Sequence, residues 1–158
     1  MHQQELEKVI LNPVSIISGM KTCVVYFSRT GNTRRLAQAI ADTAKAPIFN
    51  MAGTQPSAIE NLDLLIIGTP VEGSSPAKEA AAFIENMPKV EDKKAILFCT
   101  NRIFGSGRTM KIMEKMLESK GYKTVLKVSK KGMRPDKEAD FSNVLAEVKK
   151  TLEKQYLA

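Results

Sequence analysis

The sequence predicts a doubly wound α/β fold, a three-layer arrangement in which helices cover both faces of a five-stranded parallel sheet. Three observations carry that prediction. Residues 22–27 (T-C-V-V-Y-F), 62–68 (L-D-L-L-I-I-G) and 95–99 (A-I-L-F-C) are continuous apolar, largely β-branched runs. Strands buried on both faces read this way, whereas half-exposed strands alternate. Segments of helical period separate the runs, and right-handed crossovers then leave few topologies. Finally, 158 residues suffice for one well-cored domain and are too few for two of ordinary size.

Each element follows in order. Residues 1–19 stand outside the strand and helix rhythm, and Met20-Lys21 directly precedes the first strand. They are read as an N-terminal extension or the product of an upstream start codon, with the domain over residues 20–158. After strand 22–27, residues 33–45 place Leu36, Ala37, Ile40, Ala41 and Ala44 on one helical face. A weaker strand, residues 46–51, follows; residues 53–61 are too short and too rich in Gly and Pro for more than a turn or two of helix. Strand 62–68 leads to a helix at 78–86, and strand 95–99 to a helix at 110–120 carrying Met110, Met113, Met116 and Leu117. Residues 122–128 alternate enough to lie at a sheet edge. Residues 137–155, with Val144, Leu145, Val148 and Leu152, read as the last helix.

Composition excludes several classes. A formal charge of +7, 43% hydrophobic and 26% charged residues are globular values, not those of a disordered or collagen-like chain. No stretch approaches the roughly 20 apolar residues of a spanning helix, so no membrane role is expected and the location is read as cytoplasmic. Two cysteines make no disulfide scaffold, and a single His, His2, gives no metal cluster. Residues 111–154 hold eleven Lys and one Arg against seven acids, but only Tyr122 and Phe141 lie among them as ring-bearing side chains below the last helix turns. Nucleic-acid binding wants aromatics interleaved with the charge, so it is not expected.

The chemistry is concentrated after the first strand, in Ser28-Arg29-Thr30-Gly31-Asn32-Thr33. Three hydroxyls, an amide and a glycine meet a helix start, where backbone N–H groups are unpaired and the dipole is positive. A phosphate requires such a place. A plain N-cap, Thr30 or Asn32, needs fewer polar residues than are present. A dinucleotide site would need G-x-G-x-x-G and an acid closing the second strand, where Asn50 stands; a P-loop would need G-K-[ST]. The C-x5-R spacing of Cys23 and Arg29 has strand between its ends and wraps nothing. A receiver domain would need acids where Ser28 and Thr69 stand.

With these residues the chain resembles the flavodoxin family. The family's loop S/T-x-T-G-N-T is matched at Ser28, Thr30, Gly31, Asn32 and Thr33. Residues 63–70 (D-L-L-I-I-G-T-P) are similar to its third strand and first ring loop, and residues 100–107 (T-N-R-I-F-G-S-G) stand in place of the second. The resemblance covers residues 21 to about 155. It implies strand order 2-1-3-4-5 and FMN at the switch point, its ring between the 69–75 and 100–107 loops. The implied cofactor residues are Ser28, Arg29, Thr30, Gly31, Asn32 and Thr33, then Thr69, Pro70, Val71, Glu72 and Gly73, then Thr100, Asn101, Arg102, Phe104 and Gly105. One departure stands out: Glu72 occupies the position where similar proteins carry a stacking Trp or Tyr. Phe104 is then the remaining aromatic for the ring, or else a hydrophobic plug beneath its loop.

All six arginines (Arg29, Arg34, Arg35, Arg102, Arg108, Arg134) fall on the expected cofactor edge. An anion would compensate them, and they predict a flavin potential less negative than that of acidic carriers. Cys23 and Cys99 are separated by a strand and beyond disulfide reach; both read as core thiols, with Cys99 the one to test for redox reactivity. The expected function is electron transfer as a carrier or small reductase, without a catalytic side chain. A redox protein or reduced nicotinamide would donate, and a partner surface would be acidic. A homodimeric quinone or small-molecule reductase, and a binding module that has lost FMN, are the alternatives.

Overall fold

A computed structural model describes residues 20–157, so the reading of residues 1–19 lies outside it. The elements are β1 (Thr22–Tyr26), α1 (Asn32–Ala44), β2 (Ile48–Asn50), β3 (Leu64–Glu72), β4 (Ser75–Pro76), α2 (Lys78–Glu85), β5 (Lys93–Asn101), α3 (Ser106–Glu118), β6 (Tyr122–Lys131) and α4 (Ser142–Leu157). Sheet order is β2-β1-β3-β5-β6, parallel throughout, with β4 antiparallel to the end of β3. The parallel part is the five-stranded order expected.

The continuous apolar runs are explained by two separate cores. Cys23, Val25, Leu65, Ile67, Ala95 and Leu97 face one way, toward α2 and α3. Val24, Tyr26, Leu64, Ile66, Ile96 and Phe98 face the other, toward α1 and α4. Alternate residues on each strand thus serve opposite cores, and no face is left for water. At full burial, each such side chain contributes on the order of 2 kcal/mol.

The structure departs from the sequence reading at the 73–76 turn, at the start of the last helix and in β6. Residues 73–76 form a hairpin rather than a plain loop, with Gly73 and Ser74 at φ of 59° each and Val71 opposite Pro76. The last helix starts at Ser142, not 137, because the Asp140 carboxylate accepts the Ser142 N–H (2.9 Å) and the preceding turn is held from outside by Arg35. Between β2 and β3 stand only two 3-10 turns, Met51–Gly53 and Pro56–Ala58. That short crossover leaves an apolar cleft of about 370 Å³ beside α2, walled by Phe27, Met51, Pro56 and Phe83, with Glu79 at its rim. In β6, Ala95 pairs with Thr124 but Ile96 with Leu126, so Val125 is the extra residue of a bulge.

Gly121 joins α3 to β6 at φ 95°, and a Cβ there would overlap the Val90 carbonyl. The close approach lets Val90 N–H donate to Lys120 O (2.8 Å) and Lys93 N–H to Gly121 O (3.1 Å). Gly121→Ala is therefore expected to destabilise the fold by about 2 kcal/mol or more, combining strain with displaced hydrogen bonds. Urea unfolding followed by circular dichroism measures it; an unchanged midpoint contradicts the assignment.

Candidate functional site

The β1–α1 loop begins where β1 leaves the sheet. Gly31, at φ 99°, turns the chain into the helix, a conformation that side chains disfavour. Ser28, not Thr30 or Asn32, does the capping: its Oγ accepts the N–H groups of Gly31 (3.1 Å) and Arg34 (3.2 Å). The N–H groups of Thr30, Asn32 and Thr33 have no acceptor among the described residues. They form an open donor set at the positive end of a 13-residue helix.

Across this opening stands the end of β5. Thr33 and Thr100 share a hydroxyl hydrogen bond of 2.8 Å, buried, which fixes α1 against β5. Next to them, Asn32 donates to Met133 O (3.4 Å), while the Gly132 N–H donates to Asn101 O (2.9 Å). The carboxamide oxygens Oδ1 of Asn32 and Asn101 are both buried without a partner. A buried acceptor left open costs about 1–3 kcal/mol unless a donor arrives. Open amide donors and two orphaned acceptors thus belong to residues at the start of α1 and the end of β5.

The second loop pair is built differently. Thr69 Oγ1 accepts the Ala77 N–H (3.0 Å) and donates to Pro70 O (2.9 Å), so its hydroxyl is engaged in the hairpin. Pro70, Val71 and Glu72 continue β3, and Gly73 turns the hairpin. Gly105, at φ 102°, caps α3 and packs where a Cβ would crowd Val71 and Ser74, bringing the 102–105 loop against the hairpin. Arg102 is exposed, and Phe104 is 76% exposed beside Ile103 at 69%. Phe104 is thus no plug under its loop.

Arg29 is the residue whose placement the sequence did not foretell. Its guanidinium donates to both carboxylate oxygens of Glu72 (2.6 and 2.9 Å) and to both of Glu79 (2.8 and 2.9 Å). Phe27 lies beneath it, 5.0 Å from Cζ to the ring centroid. Carboxylates, not a bound anion, are what compensate Arg29. Two other arginines bind protein oxygens: Arg35 donates to Arg134 O (3.1 Å) and Lys137 O (2.7 Å), and Arg108 to Ser74 O (3.2 Å) and Ser75 Oγ (3.0 Å). Protein oxygens thus compensate Arg29, Arg35 and Arg108, where the sequence reading expected an anion to do so. Glu79 went unrecognised in the sequence; its one signal, an acid in the first turn of α2, reads as a dipole partner.

Cys99 is fully buried, and burial pushes its thiol up to about 12; Cys23 is shifted upward for the same reason. Neither is a reactive thiolate near neutrality. Among the described residues no group of His, Cys, Asp or Glu could hold a metal ion, and no helix is long and apolar enough to cross a membrane.

A family model described as a flavodoxin domain matches residues 23–130. An uncharacterized protein of Methanocaldococcus jannaschii is 32% identical over 105 residues, 65% of this chain and 69% of that protein. Among solved structures, flavodoxin 2 of Bacillus cereus superposes with a TM-score of 0.72 at 21% identity, covering 84% of this chain and 98% of that one. The two-electron reduced flavodoxin of Megasphaera elsdenii gives 0.66 at 25% identity, covering 87% and 99%.

The Arg29 hydrogen bonds hold the Glu79 carboxyl below its ordinary value of 4.5, helped by its own backbone N–H. A depressed folded value stabilises the protein above the ordinary value and is lost as pH falls through the folded one. Acidification from about pH 5 to about pH 3 should therefore lower the urea midpoint of the native chain more than that of Glu79→Gln. Parallel curves would show that the Glu79 fork contributes nothing.

Proposed function

Because this chain belongs to the flavodoxin domain family, we propose that it binds FMN at the carboxyl edge of β1, β3 and β5 and serves as an electron-transfer protein. One observation supports this above the others: the N–H groups of Thr30, Asn32 and Thr33 at the start of α1 are open, and the Oδ1 atoms of Asn32 and Asn101 lack donors. The phosphate of FMN would take the N–H groups, as helix N-termini bind anions without a charged side chain. The ribityl hydroxyls would donate to Oδ1 of Asn32 and Asn101. The ring would then lie toward Glu72, Gly73 and the 102–105 loop.

When bound, FMN supplies one- and two-electron redox chemistry through its isoalloxazine ring. The chain's part is to bind and orient it. Ser28 holds the loop in its donor geometry, and the Thr33–Thr100 bond keeps both halves of the site at one spacing. Gly105 keeps the two ring loops in contact. No side chain in the site is placed as a nucleophile or base. The exposed Ile103 and Phe104 border the ring loops and favour a carrier reading, since a donor or acceptor can reach that rim directly. The acceptor surface is proposed to be acidic, from the formal charge of +7 and the exposed Arg102 at the same rim.

The purified chain should show a flavin band in the visible blue, or take up one equivalent of FMN when stripped. Ser28→Ala strands the Gly31 and Arg34 N–H groups and should weaken FMN about tenfold, roughly 1.4 kcal/mol. No uptake on adding FMN refutes the proposal in favour of a fold that has lost its cofactor. NADPH oxidation driven by a quinone, faster than free FMN allows, would instead mark a reductase.

A further inference from the structure

We infer that Arg29, clamped flat between Glu72 and Glu79, is the platform on which the flavin ring stacks, in place of an aromatic side chain. The inference rests on the FMN reading above and adds a residue to it.

Four hydrogen bonds of 2.6–2.9 Å fix the guanidinium edges in the plane of two carboxylates. An arginine held so has lost the rotamer freedom that normally weakens stacking on a surface side chain. One of its flat faces rests on Phe27, itself buried at the end of β1. The carboxylates hold the guanidinium edges, Phe27 lies on one side of it, and the side chain as a whole keeps 44% of its surface exposed. A planar cation, backed by an aromatic ring and open on one side, matches what a planar aromatic ligand stacks against.

Its place in the chain supports the same conclusion. Arg29 follows Ser28, the residue that shapes the phosphate loop, and its partner Glu72 precedes Gly73 at the ring hairpin. The guanidinium therefore spans the way from the open N–H groups to the ring loops. A ligand whose phosphate occupies α1 and whose ring reaches that hairpin passes over it. Charge explains why Arg29 does not take the phosphate: with two carboxylates in contact, the cluster carries a net formal charge of −1, which repels a dianion and tolerates a neutral ring. The chain has no Trp, and the place before Gly73 where an aromatic would stand holds Glu72, one of the two carboxylates that grip Arg29.

The test separates ring from phosphate by titrating FMN and riboflavin into the stripped full-length chain and its variants, read by flavin fluorescence. Arg29→Leu should weaken both flavins by the same factor, about three- to thirtyfold, the range of an exposed to a desolvated cation–π contact. Competition by inorganic phosphate against FMN should be unchanged. Glu79→Gln, which keeps the cation but loosens the clamp, should weaken both flavins by a smaller factor, and Arg29→Lys, lacking the flat fork, should not restore them. Thermal unfolding of each stripped variant confirms that it is folded before titration. A loss confined to FMN would assign Arg29 to the phosphate and overturn the inference, as would equal affinities for both flavins in all variants. If the unmodified chain takes up no FMN, the cofactor reading itself fails, a result distinct from either.

Discussion

A parallel sheet covered on both faces confines polar chemistry to the ends of its strands. The interiors of β1, β3 and β5 serve two cores, so they carry no hydrophilic side chain along their central stretches. The next polar residues come toward the carboxyl ends of these strands: Ser28 just past β1, Thr69 within β3 and Thr100 within β5. Three neighbouring strands thereby deliver their first hydroxyls to one edge, and each is put to use. Ser28 shapes a loop, Thr69 fixes a hairpin and Thr100 ties β5 to α1. The site is a consequence of burial as much as of the loops that decorate it.

Charge at that edge is arranged by local pairing. The helix dipole of α1 disfavours Arg34 and Arg35 in its first turn. Arg35 escapes by reaching two carbonyls in the 134–137 turn, and Arg29, just before the helix, is matched by two carboxylates. The open N–H groups are thus left without a carboxylate drawn from the same loop. A backbone cradle of this kind discriminates by shape, because amides cannot follow a misplaced oxygen as a lysine can.

The fold and the turn from β1 into α1 were legible because each rests on local pattern. Runs such as 62–68 declare double burial, and Gly31 within a cluster of hydroxyls declares a turn into a helix. What was not legible depends on side chains far apart in sequence. Nothing near Arg29 names Glu72 or Glu79 as partners, since the sheet alone brings residues 43 and 50 positions away into contact. The early residues of the last helix were misread for the opposite reason: K-E-A-D has helical propensity, but Asp140 bonds the Ser142 N–H and Arg35 holds the turn before it. Ser28 was seen as a ligand residue when its hydroxyl is first an organiser of the loop.

The bulge in β6 bears on how copies of this chain meet. A long outer strand normally offers unpaired amides to a neighbour, and β6 is ten residues long. The extra Val125 bends that border, and the exposed Lys123, Lys127 and Lys131 stud it with like charge. At the opposite border β2 offers only three residues. Neither flank is a good template for sheet extension, so self-assembly by strand addition, and the fibrous aggregation that follows from it, is suppressed by the architecture.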